Sequence, residues 1–256
     1  MAVRSALTGT LLCLLFALPA RAAWSVSSAE SEKGLVAGLE RRHVILSDSA
    51  TGGEARLELA LFSTKTSVVR VVDNPTGDEL AGVAQRFHGA AGVNGGYFDP
   101  QNVPVGLLIS EGKLIAPFRK AKLLSGVLVV TKGKMELVRS AEYSARKNAV
   151  AALQCGPFLV DGGTAVAGLN NTRPARRTFI VTMGSDRAAI GFCSAVTLAE
   201  LGDILATPRL VPETKIQRAL NLDGGSSSAF WFAGEDGVFS IGEQKTVRNF
   251  VIVTPK

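Results

Sequence analysis

Two stretches place carboxylates, amides and paired glycines at the ends of apolar runs. In Gly92-Val93-Asn94-Gly95-Gly96-Tyr97-Phe98-Asp99-Pro100, an apolar run ends at Asn94, two glycines follow, and an aromatic pair precedes Asp99. Ala219-Leu220-Asn221-Leu222-Asp223-Gly224-Gly225-Ser226-Ser227-Ser228 repeats the pattern, with hydroxyls after the glycines. Glycine lets backbone N–H groups approach a ligand closely and point together, which is how loops form anion-binding concavities. Asp99 and Asp223 could then work opposite an electrophilic carbon, and the amides of Asn94 and Asn221 could hold sugar hydroxyls. Either stretch alone also reads as an ordinary Asn-Gly or Asp-Gly turn. Two of matching composition point to a shared site.

A third element supplies an amide and a cation. Gln154 stands at a strand end before Cys155-Gly156-Pro157, and Arg173, Arg176 and Arg177 cluster before Thr178. Gln154 and the Gly-Pro turn could line a pocket, and guanidinium can hold an anion bidentately. Other chemistries find no support. There is no phosphate-binding G-x-x-x-x-G-K-[ST] loop, no dinucleotide G-x-G-x-x-G opening a helix, and no H-E-x-x-H. Gly225-Ser226-Ser227-Ser228-Ala229 nearly matches a nucleophile elbow, but a strand-like run follows where a helix is needed. The only histidines, His43 and His88, precede that serine, against the order of such hydrolases.

The elements that must position these residues are mostly strand-like. Short or alternating apolar runs occupy Arg56–Phe62, Val68–Val72, Val105–Ser110, Gly126–Thr131, Met135–Arg139 and Ala149–Gln154. More follow at Thr178–Met183, Ala188–Cys193, Arg218–Leu222, Ala229–Phe232, Val238–Ile241 and Arg248–Thr254. Thr131–Lys134 and Met183–Arg187 read as hairpin turns. Leu80, Val83, Ala84 and Phe87 predict a helix over Asp78–His88. Thr197 with Glu200 predicts a capped helix over the following residues, ending near Thr207-Pro208. The pattern predicts an α+β fold, one domain over 40–256 with a mixed, mainly antiparallel sheet and a few helices. Residues 23–39 are polar and read as a loose N-terminal segment.

Composition bounds the setting. The 256 residues include 28 Lys and Arg, 22 Asp and Glu, and 46% apolar residues, enough for a substantial core and too apolar for a disordered chain. Arg4, the apolar run Leu11–Leu18 and Pro19-Ala20-Arg21-Ala22 read as a signal peptide over 1–22, with a mature start at Ala23. No other stretch is apolar enough to span a membrane, so the mature protein is expected to be periplasmic or secreted. Without Arg4 and Arg21 the net charge falls from +6 to +4, with no run of five like charges, so nucleic acid is not an expected partner. Cys155 and Cys193 remain after cleavage, either bridged or as two buried thiols. No metal site and no cofactor are expected, because the acidic ligands are too few and no C-x-x-C occurs.

Taken in order, these elements resemble the phosphodiester glycosidase family from about Ala90 to the C-terminus. The matching stretches are Val93–Asp99, Pro104–Ile109 with Gly112-Lys113, Gln154 with Gly156-Pro157 and Asp161-Gly162, Arg176–Thr178, Thr197–Leu201, Ala219–Ser227 and Val247–Val253. The resemblance implies hydrolysis of a sugar joined through its anomeric carbon to a phosphodiester. It implies a pocket of Asn94, Gly95, Gly96 and Asp99, with Gln154, Arg177, Asn221, Asp223, Gly224, Gly225 and Ser226. A phosphomonoester leaves readily, so Arg and N–H donors can carry much of the catalysis. Asp223 is then expected to stabilise the oxocarbenium-like centre, with Asp99 as partner or pocket organiser and Arg177 on the phosphate. The expected partner is a sugar-phosphodiester or glycan of the cell envelope or extracellular space. Two alternatives stay open: a non-catalytic glycan-binding or exopolysaccharide-assembly protein using the same pocket, and a phosphodiesterase cutting P–O.

Overall fold

The structure is a computed structural model describing residues 24–132, 134–144, 148–184, 186–212 and 214–256. The expected signal peptide, Cys13 and Ala23 lie outside the described residues, as do Gly133 and Ser185 of the two expected hairpin turns.

Three antiparallel sheets make up the fold. The first has eight strands, in the order Trp24–Lys33, Glu40–Asp48, Glu54–Ser63, Arg187–Val196, Ala175–Met183, Arg218–Asn221, Phe158–Asp161 and Thr164–Ala165. The second orders Gly237–Ile241, Phe230–Gly234, Ala91–Asn94, Asn249–Pro255 and Ser67–Asp73. The third orders Lys113–Ala116, Leu108–Ser110, Ala151–Cys155, Gly126–Val130 and Met135–Arg139. The two expected hairpins are present, since Gly126–Val130 pairs with Met135–Arg139 and Ala175–Met183 with Arg187–Val196.

The main core lies where the sheets meet. Phe62 and Ile190 come from the first sheet, Val93, Phe230 and Val253 from the second, and Leu128 and Leu153 from the third. The Ala175–Met183 strand is buried on both faces: Ile180 enters this core, while its neighbours Phe179 and Val181 enter a second one. Side chains two apart share a face of a strand, so the continuous apolar run reads as a strand covered on both sides. The cover on the outer face is the helix Leu198–Leu205, through Leu201, Ile204 and Leu205. Its N-terminus carries the expected capping box: Thr197 Oγ1 accepts from the Glu200 N–H at 3.2 Å, and the Glu200 carboxylate accepts from the Thr197 N–H at 2.7 Å. The helix Leu80–Arg86 sets Val83 and Ala84 against Trp231, Phe250 and Ile252 on the second sheet.

Two expectations need correction. The fold is predominantly β rather than balanced α+β, with two α-helices among the described residues and three sheets where one was expected. The segment 23–39 is not loose where it is described, because Trp24–Lys33 pairs along its length with Glu40–Asp48. It is an edge strand that buries little beyond Trp24 and partly Val26. A strand held by its ladder on one edge has no need of alternating apolar residues, so its polar composition hid it. Cys155 and Cys193 are free and buried in different cores.

Candidate functional site

The two glycine-bearing stretches meet. Asn94 ends a central strand of the second sheet and Asn221 a strand of the first, and both are fully or almost fully buried. Asn94 Nδ2 donates to the Asp223 carbonyl at 2.7 Å. Its Oδ1 accepts from Thr178 Oγ1 at 2.7 Å and from the Ala229 N–H at 3.0 Å. The Asp223 N–H in turn donates to the Gly95 carbonyl at 2.9 Å.

Gly95 and Gly96 serve packing. The Gly95 N–H donates to the Asn249 carbonyl and the Gly96 N–H to Asn249 Oδ1 at 2.7 Å. A Cβ on Gly95 would come within 2.0 Å of that Oδ1, and one on Gly96 within 2.9 Å of Leu153 Cδ1. These N–H groups are therefore engaged inside the protein, and the anion cradle expected of them is not formed by them. Asn94 is likewise engaged at both ends of its amide.

Gln154 also turns inward. Its Oε1 accepts from the N–H groups of Leu107 and Arg119, and its Nε2 donates to the carbonyls of Arg119 and Leu124. Only its backbone carbonyl adjoins Gly96, 3.4 Å from where a Cβ would stand. Asp99 organises its own turn, Oδ1 accepting from the N–H groups of Gln101 and Val103 at 3.0 and 2.8 Å. Its hydrogen bonds do not reach Asp223 or Arg177.

What converges is a smaller group. Asp223 Oδ1 accepts from the Gly224 N–H at 2.9 Å. Burial pushes the Asp223 carboxyl above its ordinary value, opposed by Ser227, Lys245 and the Gly224 N–H. Ser227 stands close enough to oppose the shift, yet its Oγ meets no partner at hydrogen-bonding geometry. Arg177 packs beside the turn: its Nη1 lies 3.7 Å from where a Gly224 Cβ would stand. Its Nε and Nη2 donate to the carbonyls of Val196 and Arg173 at 2.9 and 2.6 Å, which leaves Nη1 on the Gly224 side. Burial lowers the Arg177 pKa, while Tyr97, Cys193 and Glu200 act the other way. Gly225 takes a φ of +63° with open space around it, and Ser226 is exposed.

Seven buried side-chain polar atoms have no hydrogen-bond partner among the described residues, and three of them fall within 221–228: Asn221 Oδ1, Ser227 Oγ and Ser228 Oγ. Unmet polar groups are costly in an interior, so this concentration sets the segment apart from the paired strands around it. Arg176 Nε is a fourth, one residue from Arg177.

Two residues here escaped the motif reading. Tyr97 donates to the Gly156 carbonyl and accepts from Asn221 Nδ2 at 3.2 Å; burial, then Cys155 and Asp223, raise its pKa. Lys245 reaches the site because the Gln244 N–H donates to the Ser226 carbonyl at 2.7 Å and Arg176 Nη2 to the Gly242 carbonyl at 2.9 Å. Its ammonium sits 4.8 Å from the centre of the Phe98 ring and interacts favourably with Asp223. No local signal could have found Lys245, since its neighbours form a polar loop without a motif.

Two concavities lie elsewhere. One of about 530 Å³ is lined by Glu32, Arg41, His43, Glu58 and Phe239, and one of about 870 Å³ surrounds the turn after Lys33. In the first, Glu58 is already paired, with Arg41 at 3.0 Å and with His43 at 2.7 Å. Among the described residues no group of three or more His, Cys, Asp or Glu could hold a metal ion, and no helix is long and apolar enough to cross a membrane.

The family model for phosphodiester glycosidases matches residues 88–254. Among solved structures, the chain is similar to the zebrafish N-acetylglucosamine-1-phosphodiester alpha-N-acetylglucosaminidase catalytic domain, auto-inhibited by its pro-peptide. That match has a TM-score of 0.65 at 14% identity, covering 90% of this chain and 88% of that one. A hypothetical protein from Synechocystis matches with a TM-score of 0.57 at 14% identity, covering 86% of this chain and 62% of that one. At such identity these likenesses establish the fold. No curated protein matches in sequence.

Proposed function

The chain belongs to the phosphodiester glycosidase family, and from that premise we propose that it hydrolyses the anomeric C–O bond of a sugar-1-phosphodiester at the Asp223 turn. The observation that carries the reading is the Asp223 carboxyl, raised by burial, on a turn whose next residue, Gly224, packs against Arg177. Ser226, exposed next to Gly225 and the open space around it, would meet sugar hydroxyls. Arg177 Nη1 and Lys245 would take the phosphate.

In this reaction the oxygen of water bonds to the anomeric carbon while the bond from that carbon to the bridging phosphate oxygen breaks. The bonding pair leaves with the phosphomonoester. A leaving group this stable needs cationic and N–H stabilisation more than a proton. Asp223 works on the sugar side, as the base that receives the water proton or as the nucleophile of a two-step route. A carboxyl whose pKa is raised by burial binds a proton more readily than a solvated one, which suits the base. Asp99, engaged with its own loop, is assigned to shaping the turn. Gly95 and Gly96 let that turn approach Asn249.

We assign the substrate to cell-envelope or extracellular glycans, with export through residues 1–22. N-terminal sequencing of protein recovered outside the cytoplasm would then begin at Ala23. The function itself is tested by incubating the protein with sugar-1-phosphodiesters in ¹⁸O water. Label in the released sugar supports C–O cleavage. Label in the phosphate sinks it in favour of P–O cleavage, and saturable binding without turnover would make the protein a glycan-binding one.

A further inference from the structure

Beside the site stands a short arm, 117–124, whose backbone is held by the side chains of Gln154 and Ser140. Gln154, 1% exposed, gives three of its four amide hydrogen bonds to the arm, bonding Arg119 through both N–H and carbonyl and the carbonyl of Leu124. Ser140 Oγ also donates to the Leu124 carbonyl. Phe118 stacks on Tyr143 with ring centroids 5.2 Å apart, and the Leu124 N–H closes a turn onto the Ala121 carbonyl. A buried amide with four hydrogen bonds is an uncommon fixture for an exposed loop. What it fixes is the display of Arg119, Lys120 and Lys122, all exposed and without a carboxylate partner among the described residues.

The arm adjoins the Asp223 turn. A Cβ on Gly156 would fall 2.2 Å from the Leu123 carbonyl, so the two segments are in direct contact. The Gly156 carbonyl accepts from Tyr97 and from Asn221, two residues before Asp223. Three exposed cations, carried on a backbone fixed against Gly156, add positive charge near the proposed phosphodiester site. We infer that this arm receives the neighbouring phosphates of a substrate that carries several, so that the substrate class is an anionic polymer of sugar-phosphate repeats rather than an isolated diester. The inference rests on the hydrolase reading above. Preordering the loop removes the entropy that flexible lysines on a free loop would lose on binding. Long-range attraction by such rim charges acts mainly on capture and is weakened by salt.

The test compares two probes on two proteins. The probes are a fluorescent oligomer of N-acetylglucosamine 1-phosphate units and the corresponding single-unit methyl phosphodiester. The proteins are Asp223→Asn, which retains the arm, and the same protein carrying Lys120→Glu and Lys122→Glu. Charge reversal is expected to weaken oligomer binding roughly tenfold or more at low salt, with the difference shrinking as salt rises and single-unit binding unchanged. Unchanged oligomer affinity, or an equal loss for both probes, would overturn the arm. An oligonucleotide of equal phosphate count binding as tightly would overturn the glycan assignment. Wild-type protein that turns over neither probe would sink the hydrolase reading alone, because the binding comparison needs no turnover.

Discussion

The side-chain amide of Asn94 donates to the backbone carbonyl of Asp223 across 2.7 Å, and its oxygen holds Thr178 and Ala229 at the same time. One buried side chain thus joins the end of a second-sheet strand to the turn carrying the carboxylate. Asn94→Ala would leave three buried groups without partners, so a loss of about 3 kcal/mol in urea unfolding is expected, with turnover falling in step. Native stability combined with lost turnover would instead make Asn94 a substrate ligand.

Gly95 is held to glycine by Asn249. Gly95→Ala would drive a methyl to within 2.0 Å of Asn249 Oδ1, and overpacking of this kind costs about 1–3 kcal/mol. Combining it with Asn249→Ala removes the clashing oxygen, so the double variant should be less destabilised than the sum of the single ones. Strict additivity would show that the two residues do not share a cause.

Much of this was legible before any coordinates, and what was not has physical reasons. The apolar runs gave most inner strands, though not Glu40–Asp48 or Phe158–Asp161, and the Thr197–Glu200 capping box gave the longer helix, because both signals are local. The pairing of the two Gly-Gly turns was legible from composition, since strand ends rich in Asn, Asp and Gly gather at one place. The use of Asn94 and Gln154 was not. A buried amide looks the same in sequence whether it faces a ligand or a backbone, and the Gln154 partners lie 30 to 47 residues away. Lys245 was hidden for the same reason, its position being set by tertiary bonds from Gln244 and Arg176. The first strand was missed because an edge needs no apolar face.

The two cysteines give a prediction about reactivity. Cys155 and Cys193 are free, fully buried, and each pushed up to about 12, in both cases by burial first. A thiol in that state supplies almost no thiolate at neutral pH. Native protein is expected to leave both unlabelled by a maleimide over a time in which denatured protein labels twice. Reductant should not move the melting temperature. A drop in melting temperature on reduction would establish a bridge that the two separate cores do not accommodate.

The last prediction concerns Asp223, whose proposed catalytic role and contribution to stability should pull in opposite directions. Its pKa is raised in the fold, chiefly by burial, so ionising it is harder there than in the unfolded chain. Its contribution to stability is therefore fully present below the ordinary carboxyl value and is lost as pH rises through the higher folded value. Asp223→Asn cannot ionise, yet its amide oxygen can still accept from the Gly224 N–H. The variant should melt higher than wild type at pH 7, and the two should converge as pH falls below the ordinary carboxyl range. Turnover should drop at least a hundredfold, as expected for loss of an acid–base or nucleophilic group. Thermal melts from pH 3 to 8 beside single-turnover assays measure both halves. A variant that is less stable at pH 7 would mean the carboxylate is held by bonds that outweigh its desolvation.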